Sequence, residues 1–200
     1  MRPIAEAMER AGKSVDEIWR ATGLGRDATG LWRFEISDHG YRVKPNAGVN
    51  GDAGFRVGPL FDLIHHPGAH EAYPDFASAL AQIRLDPSGT ERLGNFAPGV
   101  ITLESRLRQL LSRLGIHELQ HMIDHFEGAA RGGSPWEFRQ LGYLKEAAEA
   151  FYKRLAGEVA ARNAERRLGM TEERRLRTAP IRTEDTPRDQ QIIRDWGQPY

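Results

Sequence analysis

The chain contains no cysteine. That removes disulfides, thiol catalysis and thiolate metal sites. A transition metal would have to sit on His, Asp or Glu, a donor set that suits a catalytic centre better than a closed structural one. No apolar run approaches the roughly 20 residues of a membrane span. The first residues, MRPIAEAMERAGK, carry acids and lack the apolar stretch of a secretory signal. A cytosolic product is expected, or one delivered by a route that needs no such signal, with no membrane partner. Charge of one sign is missing too. The 28 basic and 28 acidic residues cancel, so no general basic surface is implied and nucleic acid is not a favoured partner.

What is present fits one globular body with a polar extension. The 200 residues are 40% apolar and 28% charged, enough for a single core. Residues 1–177 are expected to form one domain. The polar, proline-punctuated tail 178–200 should be extended, wrapping the body or disordered.

The local signals are mostly clear. Residues 3–22 read as one or two short helices, with a capping box at Ser14 and Glu17. Residues 22–30 read as loop; their G-L-G lacks the further glycine and helix of a phosphate loop. Leu31–Ser37 alternates as a half-buried strand, with Trp32, Phe34 and Ile36 on one face. Residues 45–59 read as loop, and 60–66 as a helical turn closed by Pro67-Gly68. A strand is expected at Gln82–Asp86, and a hairpin about Pro98-Gly99 joining Phe96 to Val100–Leu103.

From residue 106 the period changes. Leu107, Leu110, Leu111, Leu114, Met122, Ile123 and Phe126 recur at helical steps up to Glu127, and Gly128 ends the run. Ser134-Pro135-Trp136-Glu137 reads as a second capping box. A long helical tract to about Leu168 follows, with an interruption at Gly142 the natural breaking point. Trp19, Trp32, Trp136 and Trp196 are assigned to packing, and the Arg-rich run 162–177 to a solvated face.

The chemistry resides in His117-Glu118-Leu119-Gln120-His121. Four residues advance a helix by about 400° and roughly 6 Å. Both imidazoles therefore project from one face and can share a metal. Glu118 lies about 100° round the axis, beside the ion, where it can take a proton from a water whose pKa the metal lowers. An HExxH pentapeptide is short and arises by chance, so its setting in an amphipathic helix matters; the plain alternative is two surface histidines.

Zinc, expected at one ion per chain, needs a third protein donor. His125 is too far along the helix, its nitrogen roughly 12 Å from that of His117. Glu127 occupies the third position of the HExxHxxGxxH pattern, but Asp124 stands where that pattern has its turning glycine. The preferred donor is Glu158, in Gly157-Glu158-Val159, because the glycine lets another segment approach closely. Glu146 and Glu149, earlier on the same tract, remain alternatives, and Arg162 could partner the carboxylate. His65, His66 and His70 bracket Pro67-Gly68 and are read as loop histidines in preference to a second metal site.

Six segments taken together, Leu31–Asp38, Leu63–Pro74, Gly94–Leu103, His117–Ser134, Ala156–Arg162 and Thr183–Ile192, resemble the metallopeptidase-like domains associated with large polyvalent proteins of phages and mobile elements. The resemblance spans roughly residues 20–195. It implies a zincin-like domain of phage or prophage origin, with His117 and His121 as ligands, Glu118 as the catalytic acid and Glu158 as third ligand. It also implies a bacterial-host cytoplasmic or virion-associated location. Ala160 stands where that group has an acid.

The expectation is thus an α+β, zincin-like domain, with a small, mainly antiparallel sheet packed on the HELQH helix and a long C-terminal helix. A metal-dependent endopeptidase acting on protein or peptide, with phage proteins among its partners, is the leading reading. The rivals are a non-catalytic phage structural or interaction module, and a zinc hydrolase acting on cell-wall peptide or another amide. Oligomeric state is left open.

Overall fold

A computed structural model describes residues 1–44, 54–85, 93–105 and 108–197. In chain order the elements are α1 (Arg2–Arg10), α2 (Val15–Thr22), β1 (Leu24–Arg26), β2 (Trp32–Phe34), β3 (Arg42–Val43), β4 (Gly54–Pro59), α3 (Leu60–Leu63), β5 (Ile64–His65) and α4 (Pro67–Ala72). Then come β6 (Leu80–Leu85), β7 (Leu93–Ala97), β8 (Val100–Ser105), α5 (Arg108–Glu127), α6 (Pro135–Gln140), α7 (Lys145–Arg154), α8 (Ala156–Leu168) and α9 (Glu172–Arg177). The fold is α+β. The chain divides into two compact units, residues 36–123 and residues 1–35 with 124–200. No helix among the described residues is long and apolar enough to cross a membrane.

The unit of residues 36–123 is built on a four-stranded open sheet in the order β4-β6-β8-β7. Its outer pairings are antiparallel and its central pair, β6 with β8, is parallel. The sheet is therefore mixed, with β7 on an edge and β8 inside. Alternation sets its buried face: Ala81, Ile83 and Leu85 on β6, and Ile101, Leu103 and Ser105 on β8, are all buried. The edge strand β4 presents Phe55 and Val57 outward.

Helix α5 lays its apolar stripe of Leu111, Leu114, Leu119 and Met122 into this core. Gly115 makes the close approach feasible. A Cβ there would lie 3.3 Å from Leu103 and overlap the Tyr41 hydroxyl. Phe126, assigned to the same stripe, is instead 56% exposed. Gly128, at φ 65°, ends the helix as expected.

Several segments differ from the sequence expectation. Residues 54–59, read as loop, form β4; residues 45–53 and Asp86 lie outside the described residues. Pro67 does not close a turn. It opens α4, with the His66 ring accepting from the Ala69 amide as its cap. Proline suits a first helical position because the N–H it lacks would be unbonded there anyway.

The other unit begins with α1 and α2, joined as the capping box at Ser14 and Glu17 predicts. Residues 24–26, read as loop, pair antiparallel with Trp32–Phe34. The strand at 32–34 is shorter than its alternation suggested, and Phe34 is 58% exposed. Glu35, just beyond it, meets the fully buried Arg167 of α8 in a bidentate pair at 2.7 and 2.6 Å, and Arg175 also donates to Glu35. A planar guanidinium suits such a fork.

The long helical tract is three helices. It breaks near Gly142, at φ 89°, and again at Leu155, whose backbone is extended. Leu155 is a good helix former, but it is wholly buried and pairs with Ile192. The Ala156 amide donates to the Ile192 carbonyl at 2.9 Å, and the Ile192 amide to the Arg154 carbonyl at 2.7 Å. Tertiary pairing with the tail outweighs propensity. The tail is held elsewhere by Asn163 and Arg167, which donate to the carbonyls of Pro180 and Thr178.

The second capping box does not form. Ser134 makes no cap bond through its side chain: the Glu137 amide donates to the Ser134 carbonyl at 3.2 Å, and the Glu137 carboxylate that would return the bond is engaged by Arg131 at 3.1 Å and Arg194 at 2.8 Å. Trp136, assigned to packing, is 63% exposed.

Candidate metal centre

His117 and His121 stand one turn apart on α5, their rings crossed at 78° with Nε2 atoms 3.2 Å apart. His121 is buried and His117 partly so. Each at roughly 2.0–2.1 Å from a shared ion, two such nitrogens would subtend about 100°, close to tetrahedral. One donor atom from each of His117, His121 and Glu158 forms a cluster in which all lie within 4.8 Å of one another. This is the one group of three or more potential ligands found among the described residues. Two imidazoles could share a hydrogen bond at the same separation. A carboxylate beside them makes three donors of the kind a divalent cation takes.

The local sequence explains how each donor is held. Glu158 lies in the first turn of α8, only 2% exposed. Its Oε1 accepts the Gly133 amide at 3.0 Å. Gly157 beside it permits the contact: a Cβ there would lie 2.5 Å from the Arg131 carbonyl carbon and 2.6 Å from the Ala130 oxygen. The close approach read from Gly157 is therefore present, and the segment that uses it is Ala130–Gly133.

Glu118 is 4% exposed and rests against β7. Gly94 leaves the room its carboxylate occupies. Behind the helix, burial pushes the Tyr41 hydroxyl above its ordinary range, so it stays neutral.

The other candidates are occupied differently. Glu127 pairs with Arg33 at 3.1 Å, and His125 meets the ring of Trp196 edge-on. Glu146 is exposed, and Leu155 puts it and Glu149 on a different helix from Glu158. Arg162 directs a bidentate pair at Asp185, at 2.7 and 2.9 Å, holding that carboxyl below its usual range. His66 is bonded to Asp38 at 3.0 Å, and His70 lies on Phe61. Sequence reasoning missed Gly94, Gly133 and Glu137. The signals were an in-strand glycine and the Gly132-Gly133 pair, which had read merely as a break.

These features define an α+β protein with a His-His-Glu cluster able to coordinate a metal ion. Residues 3–44 match the family model of large polyvalent protein associated domain 23. That stretch contains α1, α2, the β1–β2 hairpin and β3, and none of the cluster. No curated protein and no solved structure matches the chain.

Proposed function

We propose that this chain is a zinc-dependent metallopeptidase, an endopeptidase of phage or mobile-element origin, zincin-like in its site. The observation that carries the reading is the cluster of two imidazoles and one buried carboxylate, with Glu118 following the first histidine. Nitrogen and carboxylate donors from His, His and Glu, with no thiolate, suit a catalytic zinc. His117, His121 and Glu158 would hold the ion. When bound, zinc polarises a carbonyl and makes a coordinated water more acidic.

The chain supplies the rest. Glu118 accepts the proton of the attacking water and returns it to the leaving amine. Its burial keeps bulk water from competing for that proton. An extended peptide would add alongside the edge strand β7, a mode that recognises main chain before side chain. Phage proteins, or host proteins met after DNA delivery, are the substrates and partners that belong to this proposal. A host-cytoplasmic or virion-associated location belongs to the same proposal.

The test uses purified full-length chain. Zinc should approach one ion per chain, and His117→Ala should abolish it. Glu118→Gln should retain zinc while hydrolysis of a mixed peptide library falls by roughly 10²–10⁴-fold. Unchanged hydrolysis in Glu118→Gln removes the base role; no hydrolysis by the zinc-loaded wild type removes the peptidase. In that event the reading becomes a non-catalytic interaction module. One feature favours it: Trp136, Leu141, Tyr143 and Leu144 are 63, 52, 45 and 78% exposed, more apolar surface in one short stretch than a solvated face needs.

A further inference from the structure

Glu158 is held by a loop, and that loop is held by the C-terminal tail. The Gly133 amide donates to Glu158 Oε1 at 3.0 Å. Two residues earlier, the Arg131 amide donates to the Arg194 carbonyl at 2.7 Å. The side chains of the same two arginines converge on one carboxylate: Arg131 reaches Glu137 Oε1 at 3.1 Å, and Arg194 reaches Oε2 at 2.8 Å. Glu137 is 8% exposed. Its Oε2 presses on Gly133, where an added Cβ would lie 2.9 Å away. On the opposite side Gly157 admits the loop backbone against α8. Two residues before Arg194, Ile192 is bonded on both sides of Leu155, at the start of the helix that carries Glu158.

We propose that the tail segment Ile192–Arg194 is a clasp that positions the third metal ligand, acting through Glu137. The proposal rests on the metal reading of the cluster. A carboxylate on a short helical turn can rotate about its side-chain bonds. One N–H to Oε1 fixes how the carboxylate is turned, but only if the N–H itself is fixed. Glycine at 132 and 133 gives this loop little stiffness of its own. The two charge-assisted bonds to Glu137, with the Arg131–Arg194 backbone bond, supply it. Glu137, Arg131 and Arg194 are positioning residues, since they act on the ligand through Gly133. Groups that orient a metal ligand typically contribute about 10–100-fold in affinity.

The experiment measures cobalt(II) and zinc binding to the full chain, together with hydrogen exchange of the Gly133 amide in the metal-free protein. Arg194→Ala and Glu137→Gln should weaken metal binding about 10–100-fold at unchanged stoichiometry, perturb the cobalt absorption bands, and speed Gly133 exchange. Arg188→Ala is the comparison. Arg188 anchors another part of the tail, to the Asp27 carbonyl at 2.6 Å and to Glu184. It should lower the melting temperature yet leave metal affinity and Gly133 exchange as in the wild type. Wild-type affinity in Arg194→Ala and Glu137→Gln overturns the clasp alone, as does an equal loss in Arg188→Ala. A wild-type chain that binds no metal, or a His117→Ala variant that binds as tightly, overturns the metal reading and the clasp with it.

Discussion

Gly94 on the edge strand β7 lies directly against Glu118 on α5: a Cβ added to the glycine would overlap Oε1 and come within 3.1 Å of the carboxyl carbon. The residue proposed as general base therefore owes its position to a missing side chain. Gly94→Ala should displace that carboxylate. Hydrolysis is expected to fall at least about tenfold, as for a misplaced proton acceptor, while zinc content stays at the wild-type level. Asn95→Ala, at an exposed neighbouring position, should do neither. Peptide turnover and metal analysis on the two variants check this, and equal activity in Gly94→Ala would detach Glu118 from the strand.

Gly157 has a similar role for Glu158, the proposed third ligand. Its added Cβ would meet backbone atoms of Ala130–Gly132, which cannot rotate away as a flexible side chain can. Gly157→Ala should destabilise the fold by about 1–3 kcal/mol, the usual range for overpacking. It should also weaken zinc binding, since the same loop donates to Glu158. Chemical denaturation and metal titration read the two effects separately.

The Arg167–Glu35 pair joins residue 35 to α8. Arg167 is buried and depends on that carboxylate. Glu35→Gln should cost about 3–5 kcal/mol, because removing one partner leaves the other's charge buried. A melting temperature within a degree of the wild type would show that Arg167 finds other compensation.

A pH effect follows from the first capping box. Bonds from the Ser14 backbone amide and hydroxyl, then Lys13, lower the Glu17 carboxyl from 4.5 to about 2. The folded value lies below the unfolded one, so this contribution is fully present above about pH 4.5 and is lost as pH falls toward 2. Between pH 6 and 2 the wild type should lose more stability than Glu17→Gln, whose cap does not titrate. Parallel pH slopes would remove the effect.

The legible parts were those governed by near neighbours. The Ser14–Glu17 cap, the hairpin about Pro98-Gly99, α5 with its end at Gly128, and the shared face of His117 and His121 all depend on contacts within a few residues. Gly157 announced a close approach, but not the segment that makes it, Ala130–Gly132, which lies more than twenty residues away in sequence. The break at Leu155 and the failed cap at Ser134 were not legible. The first is decided by a partner distant in sequence, Ile192; in the second, the Glu137 carboxylate that would complete the box is held by the distant Arg194. Phe126 and Trp136 likewise follow a helical period or a capping pattern but end up facing water, since periodicity names a stripe and not what covers it.

By itself the amino-acid order determined that two imidazoles share one helical face with an acid between them, because a helix repeats on its own geometry whatever surrounds it. It also excluded thiolate ligands outright. Only the tertiary structure decided which acid among Glu127, Glu146, Glu149 and Glu158 joins them, and which glycines make room. Those choices depend on how far the chain travels before it returns, and no local rule of backbone geometry contains that distance.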